Sequence, residues 1–137
     1  MSMRGHRRCG RGGRGAAALE FAIVASVFIA MLLGMIELGL LWWTRNALQL
    51  TADLTARCDA LGACADPSGF AAAQAGEWGL SGAVSHISVT TPSQCHGFTT
   101  TSGKFVMVQI DSGYWAGLPP PLSGMTLQVS ACYPVAS

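Results

Sequence analysis

Charge is what this sequence has least of. Asp, Glu, Lys and Arg make up 11% of its 137 residues, while apolar residues make up half. That density is low for a chain that must be solvated on all sides. Also missing are a phosphate-cradling glycine loop, a nucleophile elbow, a paired-carboxylate signature and a CxxC knuckle. These absences exclude the usual enzyme classes, so no catalytic residue, no cofactor, no metal and no small-molecule substrate is expected. His86 falls on the polar face of a strand-like run, where it is expected to be solvated. Gly76-Glu77-Trp78-Gly79 reads as a turn with an aromatic, placed for packing.

The apolar content is concentrated between residues 16 and 43. No charged residue occurs in residues 21–36, and the one hydroxyl there is Ser26. Twenty-eight residues of helix would reach about 42 Å, enough for a bilayer with its headgroup regions. Nothing else in the chain is large enough to bury such a helix, so a single membrane span is expected. Trp42 and Trp43 stand at one end, where indole rings favour the interface. Glu37 lies about 24 Å along the helix from Phe21, near that interface rather than at the costly midplane.

The basic residues are just as concentrated. Arg4, Arg7, Arg8, Arg11 and Arg14 are five of the eight, and no acid accompanies them. Past Asn46 the chain has Arg57 and Lys104 against Asp53, Asp59, Asp66, Glu77 and Asp111. Arginines beside a span stay cytoplasmic, so the body is expected on the far side, periplasmic or extracellular. A basic arm can also bind nucleic acid, but this one is diluted by Gly10, Gly12, Gly13 and Gly15 and abuts the span. No nucleic-acid partner is expected.

A cleavable secretory signal has a shorter apolar core, followed by a small-residue cleavage site. Here the order differs: a basic, glycine-rich head ends at Gly15, and Ala16-Ala17-Ala18-Leu19-Glu20-Phe21 opens the apolar run. This opening resembles the type III signal sequence of type IV pilins and pseudopilins. The resemblance implies that a membrane-embedded prepilin peptidase cuts after Gly15, leaving Ala16 first and Glu20 fifth, ahead of Phe21. In that family the glutamate pairs with the N-terminal amine of a neighbouring subunit; its local alternative is to complement the helix dipole.

Three strings narrow the resemblance. Arg14-Gly15-Ala16-Ala17-Ala18-Leu19-Glu20-Phe21-Ala22, Gly34-Met35-Ile36-Glu37-Leu38-Gly39 and Arg45-Asn46-Ala47-Leu48-Gln49 look like the TadE/TadG-like minor pseudopilins of tight-adherence (Flp) pilus systems. The likeness covers about residues 14–62. One departure is Ser26-Val27-Phe28, where many relatives have a kink-forming proline before the phenylalanine. The resemblance implies a bacterial inner-membrane protein whose partners are the prepilin peptidase, other pilin-like subunits and the inner-membrane platform. Ala22, Ala25, Gly34 and Gly39 would permit close helix approach, with Glu37, Trp42 and Trp43 on the same helix.

Beyond the span, residues 44–62 contain good helix formers and no proline, with Gly62 as the stop. Leu50, Leu54, Cys58 and Leu61 make an apolar stripe expected to seat the small domain. Asp53 and Arg57 are spaced to pair along the helix. Asp66-Pro67-Ser68-Gly69 reads as a turn, and residues 70–78 as a short helix. Residues 85–91, 105–110 and 125–131 read as strands, the second apolar on nearly both faces and therefore central. Pro119-Pro120-Pro121 excludes regular structure between the last two. The expected fold is α+β: a long N-terminal helix continuing into a small disulfide-linked domain with a three-stranded antiparallel sheet. The expected division is a leader (1–15), a span (16–43), a helix extension (44–62) and a domain (63–137).

Cys9 precedes the span; Cys58, Cys64, Cys95 and Cys132 follow it. Four cysteines in an oxidising compartment make two disulfides, with three connectivities open. Cys58–Cys64 with Cys95–Cys132 is favoured, the first as a local pair and the second as a tie between a loop and the last strand. Spacing argues against zinc. Two functional readings follow: a processed pilus-assembly subunit acting through its helix, or an uncleaved anchored protein that binds a ligand or senses the envelope.

Overall fold

The computed structural model describes residues 12–99, 103–113 and 126–135, with side chains from residue 15 onward. The arginines up to Arg11, Cys9, the Pro119-Pro120-Pro121 run and Met125 lie outside the described residues. Seven elements follow in order: α1 (Gly12–Ala60), α2 (Pro67–Glu77), β1 (Val84–Thr90), β2 (Gln94–Cys95), β3 (Phe98–Thr99), β4 (Phe105–Gly113) and β5 (Thr126–Pro134). Two compact units divide the chain, Met1–Leu40 and Leu41–Ser137.

In the first unit α1 is apolar all round, and its side chains are exposed. Fourteen large apolar residues from Leu19 to Leu40 are open, Phe21 at 74%. Keeping them in water would cost roughly 20–40 kcal/mol at about 1.5–3 kcal/mol per side chain, more than the roughly 5–15 kcal/mol that holds a domain together. Lipid or other protein must cover this helix. It is, among the described residues, the one helix long and apolar enough to cross a membrane, and it serves as a membrane anchor. The hydroxyl of Ser26 donates to the Ile23 carbonyl at 2.8 Å, so it enters the apolar layer already satisfied.

The second unit is built on the remainder of α1. Ala47, Leu48, Thr51, Ala52, Thr55, Ala56 and Ala60 are all buried. Small side chains dominate this face, which lets the sheet pack close to the helix. Thr51 and Thr55 reach this depth because each donates its hydroxyl to a carbonyl one turn back, Ala47 at 2.9 Å and Thr51 at 2.7 Å. Opposite them, Val106, Val108 and Ile110 of β4 and Val129 and Ala131 of β5 complete the core.

The stripe expected to seat the domain does not seat it. Leu50, Leu54 and Leu61 are 43%, 37% and 57% exposed. Of the two apolar faces, the one rich in alanine and threonine, with Leu48 fully buried among them, met the sheet, and Leu50, Leu54 and Leu61 were left on the other side. Asp53 and Arg57 also form no ion pair with each other, though the spacing allowed one.

The three-stranded sheet is antiparallel in the order β1-β4-β5, with β4 central as its doubly apolar sequence predicts. Register places Val108 between Val89 and Ala131, and Ile110 between Ile87 and Val129, so the core-facing residues of all three strands share one face. A shift between Val84 and His86 marks a bulge in β1. His86 is exposed.

Asp66-Pro67-Ser68-Gly69 is the start of α2 rather than a turn. Proline is at its first position and Asp66 at the N-cap, an arrangement that spares the helix an amide it could not satisfy. Both helices end alike. In α1, Gly62 takes a φ of +66° while Ala63 N–H donates to Cys58 O and Gly62 N–H to Asp59 O, each at 2.9 Å. In α2, Gly79 takes +75° while Leu80 N–H donates to Ala75 O and Gly79 N–H to Gly76 O, again at 2.9 Å. Both are Schellman ends. Gly76 and Glu77 therefore belong to the helix, and only Trp78 and Gly79 turn the chain.

Candidate functional site

Gly15 lies within the first turn of α1, with Gly12 and Gly13 beside it. A Cβ at Gly15 would meet nothing within 4 Å, and its φ is not in the left-handed region. The fold therefore makes no demand for glycine at this position. Three glycines in the opening turn each weaken a helix by about 1 kcal/mol relative to alanine, so the helical form of this turn is weakly held. Ala16, Glu20 and Phe21 follow, all exposed. At about 100° per residue Glu20 is some 40° around the helix from Ala16, one turn on.

The residues expected to permit helix packing do not share one face. At the same rotation Gly34 and Glu37 lie within about 60° of each other, while Ala25, Gly39 and Trp43 lie on a different side, about 140° from Gly34 to Gly39. Ala22 and Trp42 fall between these two groups. A Cβ at Gly34 or Gly39 would also meet nothing within 4 Å, so neither glycine is needed for packing within this chain. Both leave a backbone surface that another helix can approach closely.

Trp43 and Trp78 meet edge to face, centroids 5.8 Å apart and planes at 71°. With Asn46, Ala47 and Leu50 they line a cavity of about 160 Å³. Trp78 Nε1 is buried and has no hydrogen-bond partner among the described residues.

Cys58 is joined to Cys64 and Cys95 to Cys132, with Cα atoms 5.5 and 6.4 Å apart. The second bond ties a small hairpin of β2 and β3 to β5. Sequence reasoning missed this hairpin. Its two-residue loop, His96-Gly97, has φ of 48° and 84°, positive at both residues as in the type I′ turns whose twist matches that of paired strands. The His-Gly pair between Cys95 and Phe98 was the available signal. Cys95, His96 and Cys132 bring their donor atoms within 4.8 Å of one another, but the sulfurs are bonded to each other. Gln49, Asp53 and Ser130 line the adjoining depression of about 400 Å³. Gln49 Nε2 donates to Ser130 O at 3.0 Å, fastening α1 to β5.

At the start of α2, Ser68 Oγ donates to Asp66 Oδ1 at 2.6 Å. That hydroxyl, and after it the Gly69 and Ser68 backbone N–H groups, hold the Asp66 carboxyl below its ordinary value. The backbone groups act mainly through their dipoles, since the side chain makes no capping hydrogen bond of good geometry.

Comparison with known proteins singles out one part of the chain: residues 15–57 match the family model described as TadE-like protein. The match begins at Gly15 and ends within α1, and the sheet lies outside it. Neither a curated protein nor a solved structure matches the chain.

Proposed function

From a chain that is TadE-like over residues 15–57, we propose a minor pseudopilin of a tight-adherence (Flp) pilus system. Its head lies in the cytoplasm, a prepilin peptidase cuts after Gly15, and the matured chain stays in the inner membrane. It acts by presenting its helix to other pilin-like subunits. Cleavage removes all five arginines of the head and none of the seven acids, so the chain changes from slightly basic to acidic.

The observation that carries this reading is Gly15 with Glu20 five residues on, inside the matched segment. The fold has no use for glycine at that position, and an exposed carboxylate at the start of an apolar helix has a use in assembly. Glu20 would pair with the Ala16 amine of a neighbouring subunit, a contact that exists only after cleavage. Small residues on two sides of the helix suit a subunit with more than one helical neighbour.

Intact-mass measurement of the protein extracted from its native membrane tests the proposal. The expected mass begins at Ala16, and the full-length mass returns when Gly15 is replaced by Ala or the peptidase is deleted. A wild-type chain that keeps Met1 to Gly15 overturns the reading and leaves an uncleaved, anchored binding or sensing protein in its place.

A further inference from the structure

The exposed apolar surface of α1 does not end at Leu40. Trp42 and Trp43, 69% and 55% open, carry it onward. From Trp43 it passes off the helix to Trp78, the residue that follows α2, whose ring meets that of Trp43 edge to face at 5.8 Å. Asn46, Ala47 and Leu50 complete the cavity of about 160 Å³ that the two indoles line. No charged residue lines it; its polar groups are the Asn46 carboxamide and the indole N–H groups. Trp78 Nε1 is buried and lacks an acceptor among the described residues.

We propose that this cavity is a lipid site. It takes the glycerol-ester end of one phospholipid from the leaflet that the domain faces, with the upper methylene groups against the two indoles. The small domain thereby gains a membrane contact of its own. The inference goes beyond the pseudopilin reading and does not depend on it, since it needs only the anchor. Continuity selects the occupant: lipid that covers Trp42 lies beside Trp43, whose indole both ends the anchor and walls the cavity. Depth agrees. Ala47 lies about 6 Å beyond Trp43 along the helix, and the headgroup layer on one side of a bilayer is about 5–8 Å deep. Leu50, about 10 Å beyond Trp43, forms the outer rim. Chemistry agrees as well. Indoles favour this layer because their faces are apolar while their N–H groups donate. Ester carbonyls are the acceptors found there, and Trp78 Nε1 is a donor without one, which is unfavourable in a buried group.

Other occupants fit less well. A protein partner seated at this depth would have to displace lipid from Trp42 and Trp43 together. Water alone would leave the exposed faces of Trp43 and Leu50 uncovered. Glu77, next to Trp78 in the chain, does not oppose lipid, because it lies outside the lining, is exposed, and accepts a hydrogen bond from Gln74 Nε2 at 3.0 Å.

Nuclear magnetic resonance of the full chain, with nitrogen-15 in its indoles and held in phosphatidylcholine nanodiscs, tests the proposal. Trp78→Phe assigns the Trp78 N–H signal, and Trp42→Phe assigns a reference signal from the span end. A phosphatidylcholine carrying a nitroxide near the glycerol end of one chain should cut both signals roughly twofold or more, as expected of indoles in the interfacial layer. A water-soluble paramagnetic agent should spare Trp78. Leu50→Glu puts a charge on the outer rim and should restore most of the Trp78 signal while leaving Trp42 unchanged. Thermal unfolding of Leu50→Glu should match the parent, which separates lost docking from lost folding. Loss of the Trp78 signal to the water-soluble agent overturns the proposal. A Trp78 signal that neither agent weakens means that protein closes the cavity, from this chain or a second copy, and overturns it too. So does a lipid effect indifferent to Leu50→Glu. The readout is taken with the first fifteen residues still attached, so its failure leaves cleavage after Gly15 untouched, and failed cleavage leaves the lipid site untouched.

Discussion

Gly15 and Asp66 both sit at the start of a helix, and they differ in what the fold asks of them. At Gly15 it asks nothing, since an added methyl group meets open space. Gly15→Ala is therefore expected to strengthen the opening turn by about 1 kcal/mol while abolishing processing, so circular dichroism and intact mass should move independently. At Asp66 the carboxylate is held charged by Ser68 and the first turn of α2. Its folded-state pKa lies below the ordinary 3.8. The stabilisation is thus complete above that value and is lost as pH falls through the lower, folded-state value. Melting temperatures of the parent and of Asp66→Asn should differ near neutrality and converge as the buffer is taken below about pH 4. Convergence on raising the pH instead would contradict this assignment.

At the scale of elements, α1 has two opposed faces in the second unit, and mutations should tell them apart. Ala56 is buried against the sheet, so Ala56→Leu overpacks the seam and is expected to cost about 1–3 kcal/mol. Leu54 is 37% exposed, and Leu54→Ala should cost less than about 1 kcal/mol, as surface truncations do. Denaturant unfolding in detergent reads both values. A larger loss at Leu54 would return the leucine stripe to the core. The stripe was legible in the sequence as a stripe, but which stripe met the sheet was not. Hydropathy ranks the stripe of Leu50, Leu54 and Leu61 first, whereas the face that meets the sheet holds one leucine, Leu48, among alanines and threonines. The opening of α2 was misread for a similar reason: Asp-Pro-Ser-Gly is favoured both in turns and at helix starts, and the residues that follow decide between them.

Across the whole molecule, two disulfides compensate for a small core. The Cys58–Cys64 link closes 6 residues and the Cys95–Cys132 link closes 37. Loop-closure entropy assigns them about 2 and about 4 kcal/mol. Replacing Cys95 and Cys132 together by Ala should therefore lower the unfolding free energy roughly twice as much as replacing Cys58 and Cys64. Equal losses would mean that the long link closes a segment already ordered in the unfolded chain.

The sequence by itself determined the membrane anchor, the glycine–glutamate opening, the central strand and the α+β plan. Each depends on local chemistry: apolar length, residue type at a fixed spacing, or alternation along a strand. Tertiary structure decided what depends on packing between distant segments. It buried the face of Leu48, Thr51, Thr55 and Ala56 rather than that of Leu50, Leu54 and Leu61, and brought Trp78 to Trp43. It also formed the His96-Gly97 hairpin that carries Cys95 to Cys132. The physical reason is that a single element can specify its own conformation and its apolar faces. Which face is buried depends on the size and shape of what arrives to cover it.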